Sequence, residues 1–178
     1  MFSSMTKKPW RTKGSKGNQV GRKTKVIRPG QCVSVDQLES PQVGFYAQLK
    51  GIPTKKRYRY ATIFVDHFSD LKYVHYMEDS TSKSTVYAKE CFERYAAAHG
   101  VHVEHYHCDN ERFSDNGWIR HCKAMGKTIT YCGVNAHFQN GRAEKAIRDI
   151  QTAARTMLLH AKSRWPDHSG NEHLLHSK

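Results

Sequence analysis

Two runs of β-branched and aromatic residues, Tyr58–Phe68 (YRYATIFVDHF) and Leu71–Met77 (LKYVHYM), stand with only Ser69-Asp70 between them. Ser and Asp hydrogen-bond their own local backbone, and Asp tolerates a left-handed conformation, so the dipeptide is turn chemistry. The two runs therefore predict an antiparallel hairpin, and the chain must build a sheet around it. Upstream, Gln31–Gln37 (QCVSVDQ) alternates around Cys32, Val33 and Val35 and reads as a short strand, followed by a loop to about Arg57. Downstream the period changes. Ser82–His99 carries Val86, Ala88, Cys91, Phe92, Tyr95 and Ala98 close to helical spacing and stops at Gly100, a residue type that ends helices. Val101–Cys108 alternates as a strand, Asp115–Met125 reads as a short helix halted by Gly126, Lys127–Tyr131 as a short strand, and Gln139–Lys162 as the longest helix. Three strands able to form a meander, followed by strand–helix units, predict an α/β fold: a mixed five-stranded sheet flanked by helices.

The 178 residues suffice for one ordinary domain and not for two comfortable ones. An apolar share of 38% with three Trp, nine Tyr and seven Phe excludes full disorder. Lys and Arg outnumber Asp and Glu by 29 to 16, a formal charge of +13, which points to a polyanionic partner. The cations crowd one end: Lys7, Lys8, Arg11, Lys13, Lys16, Arg22, Lys23, Lys25 and Arg28 occur without one acidic residue. Residues 1–30 are accordingly expected to be a disordered basic arm, 31–165 the core and 166–178 a divergent tail. Such an arm binds phosphate backbones without sequence preference or serves as a nuclear address. No stretch has the 18 or so apolar residues of a membrane span, and no signal peptide is recognisable, so membrane partners are not expected. Cys32, Cys91, Cys108, Cys122 and Cys132 are odd in number and never spaced C-x-x-C, which argues against disulfides and a standard zinc site and for a reducing compartment. His102, His105, His107 and Cys108 make no zinc cluster either, because strand alternation divides them between two faces.

Metal-dependent phosphoryl transfer needs two or three carboxylates meeting at one point. Asp36 closes the first strand, Asp109 closes the strand that ends at Cys108, and Glu144 lies in the first turns of the last helix, just after Gln139-Asn140-Gly141. In a sheet of this order the first and fourth strands are neighbours and the last helix passes their ends, so the three acids converge. Asp66 is expected to order the hairpin rather than hold metal, and Glu111 and Asp115 to face solvent or start a helix. On the last helix, Ile147, Ile150, Ala154, Met157 and Leu158 form one apolar stripe expected to pack on the sheet. Glu144, Arg148, Gln151 and Arg155 form another at i, i+4, i+7 and i+11. A carboxylate followed by cations and an amide suits a metal beside a DNA backbone; the plainer alternative is a Glu144–Arg148 helix pair worth a few tenths of a kcal/mol. Gly133–Asn140 reads as a loop beside the site, with Asn140-Gly141 also suited to a cap or turn.

A strand ending in Asp36, then Asp-Asn-x-x-Phe at Asp109–Phe113, then Asn-Gly-x-x-Glu at Asn140–Glu144 resembles the catalytic core of retroviral and long-terminal-repeat retrotransposon integrases, copia-type elements above all. The 34 residues between Asp109 and Glu144 are near the family's Asp-Asp-Glu spacing, and Phe64–Ser69 and Ala136–Lys145 (AHFQNGRAEK) add to the likeness, which runs from about Pro9 to about Trp165. The resemblance implies a ribonuclease-H-like fold and Asp36, Asp109 and Glu144 as catalytic ligands of two Mg²⁺ or Mn²⁺ ions. It also implies DNA contacts from Asn140, Lys145, Arg148, Gln151 and Arg155. The implied activity is DNA integration by 3′-end trimming and strand transfer, without a covalent enzyme intermediate and in the nucleus, with a cytoplasmic phase. Three departures stand against it. Glu111 occupies a position where the family has glycine, no His-His-Cys-Cys zinc module precedes the core, and the helices of the family's dimer surface are not recognisable after Trp165-Pro166. A decayed copy that binds nucleic acid without chemistry is the competing expectation, and a sister nuclease that cuts RNA in a hybrid is the third.

Overall fold

A computed structural model describes residues 26–45, 57–109, 112–132 and 140–164. Strands β1 (Val33–Phe45), β2 (Arg57–Asp66), β3 (Lys72–Met77), β4 (His105–Cys108) and β5 (Thr128–Tyr131) alternate with helices α1 (Ser82–Ala98), α2 (Asn116–Ala124) and α3 (Gly141–Arg164) in the order expected from the sequence. They form a mixed sheet of order β3-β2-β1-β4-β5. The β1–β2 and β2–β3 pairs are antiparallel, whereas β1–β4 and β4–β5 are parallel.

Both faces of the sheet are covered at its centre, and for that reason Ala61–Asp66 of β2 is buried without interruption. On one face Val33, Val35, Phe64, Tyr106 and Cys108 pack with Ala88, Phe92 and Ala96 of α1 and with Trp118 and Cys122 of α2. Phe64 and Phe92 stack with ring centroids 4.6 Å apart. On the other face Ala61, Ile63 and Val65 meet Ala146, with Ile147 and Ile150 of α3 alongside. The helices start where local chemistry allows. The Thr81 hydroxyl accepts from the Ser84 amide and the Asp115 carboxylate from the Gly117 amide, each satisfying an otherwise orphaned donor.

Four expectations are corrected. First, β1 continues well past Gln37 to Phe45, with a register shift between Glu39 and Gly44. Pro41 lacks an amide donor and Gly44 lacks a side chain, so the pattern there looks like loop although a bulged strand runs through it. Second, ladder pairing of β4 begins only at His105. Third, Ile147 and Ile150 pack on the sheet as expected, but Ala154, Met157 and Leu158 are exposed, because residues 151–160 of α3 run past the elements they could pack on among the described residues. Fourth, Val26–Gly30, grouped with the basic arm by composition, belong to the fold: Arg28 pairs with Glu104, and the Gly30 amide donates to Asp66 Oδ1 at 2.9 Å. Residues 1–25, the loop expected over 46–56, Asn110, Glu111, the loop expected over 133–139 and the tail expected beyond 165 lie outside the described residues.

Gly30 is the tightest point of that junction. Its φ of +79° lies in the left-handed region, and a Cβ there would run into the His102 carbonyl. Gly30→Ala should therefore lose about 2–4 kcal/mol of stability, from backbone strain and from displacing the β4 lead-in. Urea denaturation checks this, and an unchanged midpoint would show that Val26–Gly30 is not docked as described.

Candidate functional site

The parallel β1–β4 ladder ends at the pair Val35–Cys108, and the next residue of each strand is an aspartate, Asp36 and Asp109. Both acids therefore leave the same rung where two parallel strands part, at the carboxyl end where the strand order reverses, which is the customary ligand crevice of an α/β sheet. The pattern has Asp36 closing β1, but it closes only the parallel pairing while the antiparallel pairing with β2 goes on. Glu144 comes in on the first turn of α3. Its approach is fixed by Asn140, which is 2% exposed and donates from Nδ2 to the Val35 carbonyl at 3.0 Å.

The electrostatics show one neighbourhood. Burial pushes the Asp36 carboxyl up to about 6, the negative fields of Asp109 and Glu144 add to the rise, and the Gln37 amide and Arg112 oppose it. Cys132, buried at the end of β5, is also raised, first by burial and then by Asp109, Asp36 and Glu144. Three acids from three distant parts of the chain thus share one field. Among the described residues no three His, Cys, Asp or Glu side chains stand close enough to hold one ion, so the acids influence one another without forming a closed cage.

Two observations bear on whether a divalent cation suits this place. The donors are carboxylate oxygens, the hard ligands that Mg²⁺ and Mn²⁺ favour. The Asn140 Oδ1 is buried without a hydrogen-bond partner, leaving an acceptor beside the backbone of Val35, the kind of group an ion's water shell satisfies. The donor set fits a divalent cation, with side-chain movement needed to close it.

The remaining candidates are placed as follows. Lys145, Arg148, Gln151 and Arg155 are exposed on α3. Lys145 looks toward the β2–β3 turn: there Lys72, hydrogen-bonded to Asp70, holds the Asp70 carboxyl below its ordinary value, with Arg142 and Lys145 adding to it. Asn140 sits in the core as a strut rather than on an open surface, which differs from the DNA contact expected of it. Asp66 orders the hairpin: it is 3% exposed, and its carboxylate accepts from the amides of Gly30 and Ser69 and from the Ser69 hydroxyl. Asp115 caps α2. The imidazoles of β4 bond hydroxyls, His105 to Thr128 and Thr130 and His107 to Thr130, at 2.7–2.9 Å. Sequence reasoning missed Arg112, whose field reaches Asp36; its place three residues after Asp109 was the available signal.

The architecture is the ribonuclease-H-like α/β fold of retroviral integrase catalytic cores. The chain is similar to a simian T-cell lymphotropic virus intasome solved with the PP2A regulatory subunit B56 gamma, with a TM-score of 0.59 and 17% identity over 83% of this chain. It spans about half of that protein, 46%. It is also similar to the HTLV-2 integrase catalytic core domain in complex with magnesium, with a TM-score of 0.51 and 18% identity over 85% of this chain and 86% of that one. No family model and no curated protein matches the sequence.

Proposed function

We propose that this chain is an integrase-type polynucleotidyl transferase core of the copia-like retroelement kind, acting on DNA in the nucleus with Asp36, Asp109 and Glu144 as its metal ligands. The observation that carries the reading is the shared field of these three acids at the parting of β1 and β4, in a fold similar to that of retroviral integrase cores. Two bound Mg²⁺ or Mn²⁺ ions would supply polarisation of the phosphodiester and activation of the attacking oxygen. The chain's own residues do the rest. β1 and β4 carry Asp36 and Asp109 one residue past the last rung of their ladder, Asn140 ties the start of α3 to β1, and Glu144 follows on the first turn of α3. Arg148, Gln151 and Arg155 continue along the exposed length of α3, where guanidinium groups meet phosphates.

A nucleic-acid-binding relic is the second reading, favoured by the acids' failure to form a closed ligand set among the described residues. The two separate in a calorimetric titration with Mg²⁺ and Mn²⁺, paired with a nicking and strand-transfer assay on branched DNA. The enzyme reading expects saturable metal binding lost in Asp36→Asn and in Asp109→Asn, and metal-dependent cutting that falls more than about 100-fold in either. Salt-sensitive DNA binding indifferent to both substitutions, with no cutting, sinks it in favour of the relic.

A further inference from the structure

Close to the carboxylates, two arginines share one acid. Glu39 stands on β1 where the register with β2 breaks, a kind of irregularity that re-aims side chains beside functional sites. Its Oε1 lies 3.1 Å from Arg59 Nη2 on β2, and its Oε2 lies 3.7 Å from Arg112 Nη2, beyond β4. The Tyr60 hydroxyl adds a long contact to Oε1 at 3.5 Å. All three charged side chains are well exposed, Glu39 at 38%, Arg59 at 51% and Arg112 at 42%. Ion pairs so open to water are weak and readily exchanged. The geometry is nonetheless specific: a monoanion offers two oxygens, each to a different guanidinium. A phosphodiester presents the same pattern, one negative charge over two non-bridging oxygens, and guanidinium groups suit it well. Arg112 is also the cation whose field reaches Asp36, so one arm of the pair stands at the edge of the acid site.

We propose that Arg59 and Arg112 form a phosphodiester-binding clamp that Glu39 closes in the free protein by standing in the place of the phosphate. A nucleic-acid backbone displaces Glu39 and is held beside the three acids. Glu39 thereby sets a threshold: it weakens capture of loose polyanions and leaves a strand held at several points able to open the clamp. The inference rests on the reading of the chain as a DNA-acting protein, but it concerns capture of the backbone rather than the reaction.

The test is the salt dependence of binding to short duplex DNA, measured with chelator so that metal at the acids plays no part. Glu39→Gln should bind several-fold tighter than wild type, and its plot of log affinity against log salt should steepen by about one to two, since each freed arginine that meets a phosphate adds about 0.9. Glu39→Ala, which also withdraws the carboxylate, should give the same gain. Adding Arg59→Ala and Arg112→Ala to Glu39→Gln should abolish that gain, whereas the two arginine changes alone should cost wild type less. Melting curves establish that each variant is folded, as expected for exposed positions. An unchanged slope in Glu39→Gln, a gain that survives loss of both arginines, or no DNA binding by wild type and variant alike overturns the clamp. A chain with the clamp that never cuts DNA sustains this inference and sinks the enzymatic one; cutting with an unaltered slope does the reverse.

Discussion

Asp36→Asn should make the metal-free protein more stable at neutral pH, even as it removes one of the proposed metal ligands. Burial, with Asp109 and Glu144 beyond it, raises the Asp36 carboxyl from 3.8 to about 6 in the folded chain. Below pH 3.8 the group is protonated in both the folded and the unfolded chain and costs nothing. As the pH rises from 3.8 to about 6, the unfolded chain gives up this proton while the folded chain holds it, and stability is lost, the loss being complete above about 6. The full shift corresponds to roughly 3 kcal/mol, and partial exposure of the side chain brings the expected loss to about 2 kcal/mol. Asparagine avoids it while its oxygen keeps accepting from the Gln37 amide, a bond of 2.8 Å in the wild type. Denaturation from pH 4 to 8 should therefore show the two proteins converging in acid and the variant melting roughly 4–8 °C higher above pH 7. Saturating Mg²⁺ should recover the deficit in wild type, since an ion that binds only the folded state stabilises by about 2.7 kcal/mol at a hundredfold excess over its dissociation constant. The variant should not respond. A less stable Asp36→Asn at pH 7.5 would mean that the carboxylate is already compensated, and the site would lose its reason to take a cation.

What the sequence disclosed about this site was its topology, and what it hid was its distances. Period-two alternation at Val33–Asp36 and at His105–Cys108 is enough to place two acids at strand positions, and the strand–helix order brings those strands together. Side-chain spacing depends on loop paths and rotamers, which periodicity does not encode. The same limit explains α1. Its apolar residues suggested a stripe through Val86, Ala88, Cys91, Phe92, Tyr95 and Ala98; Ala88 and Phe92 are indeed buried, but the rest of the buried stripe is Thr85, Lys89 and Ala96. Two polar residues inside the true stripe, Thr85 and Lys89, blurred the signal, so the face was centred correctly on Ala88 and Phe92 but its edges were misplaced. On α3 the pattern was right where a sheet exists to cover it, at Ile147 and Ile150, and wrong from Ala154 on, because amphipathicity reports which side would be buried and not how far the partner extends. Glu39 lay hidden behind Pro41, which made a continuing strand look like a loop.

Lys89, a member of the α1 stripe that the sequence did not single out, carries a large expected effect: Lys89→Met should cost about 3–5 kcal/mol, a large part of the 5–15 kcal/mol that holds a typical domain together. The side chain is 0% exposed between α1, α2 and β4, with Nζ 3.1 Å from Glu93 Oε1 and 3.3 Å from His121 Nδ1, and 5.7 Å from the centroid of the Tyr106 ring. The Tyr106 hydroxyl donates to Glu93 at 2.7 Å, and burial, with Glu93 beside it, pushes that phenol well above its ordinary value, so it stays a donor. Removing the ammonium leaves the Glu93 carboxylate, 16% exposed, without its counter-charge, and an uncompensated buried charge costs far more than the intact pair contributes. The size of the loss should therefore depend on Glu93. Lys89→Met with Glu93→Gln removes both charges, keeps an acceptor for Tyr106 and fills the space with an apolar chain of similar length, so most of the stability should return. Urea denaturation of the two single variants and the double gives the coupling. Should the double fall as far as the sum of the singles, the cost lies in packing around the lysine stem, and the charge argument for this helix pair is wrong.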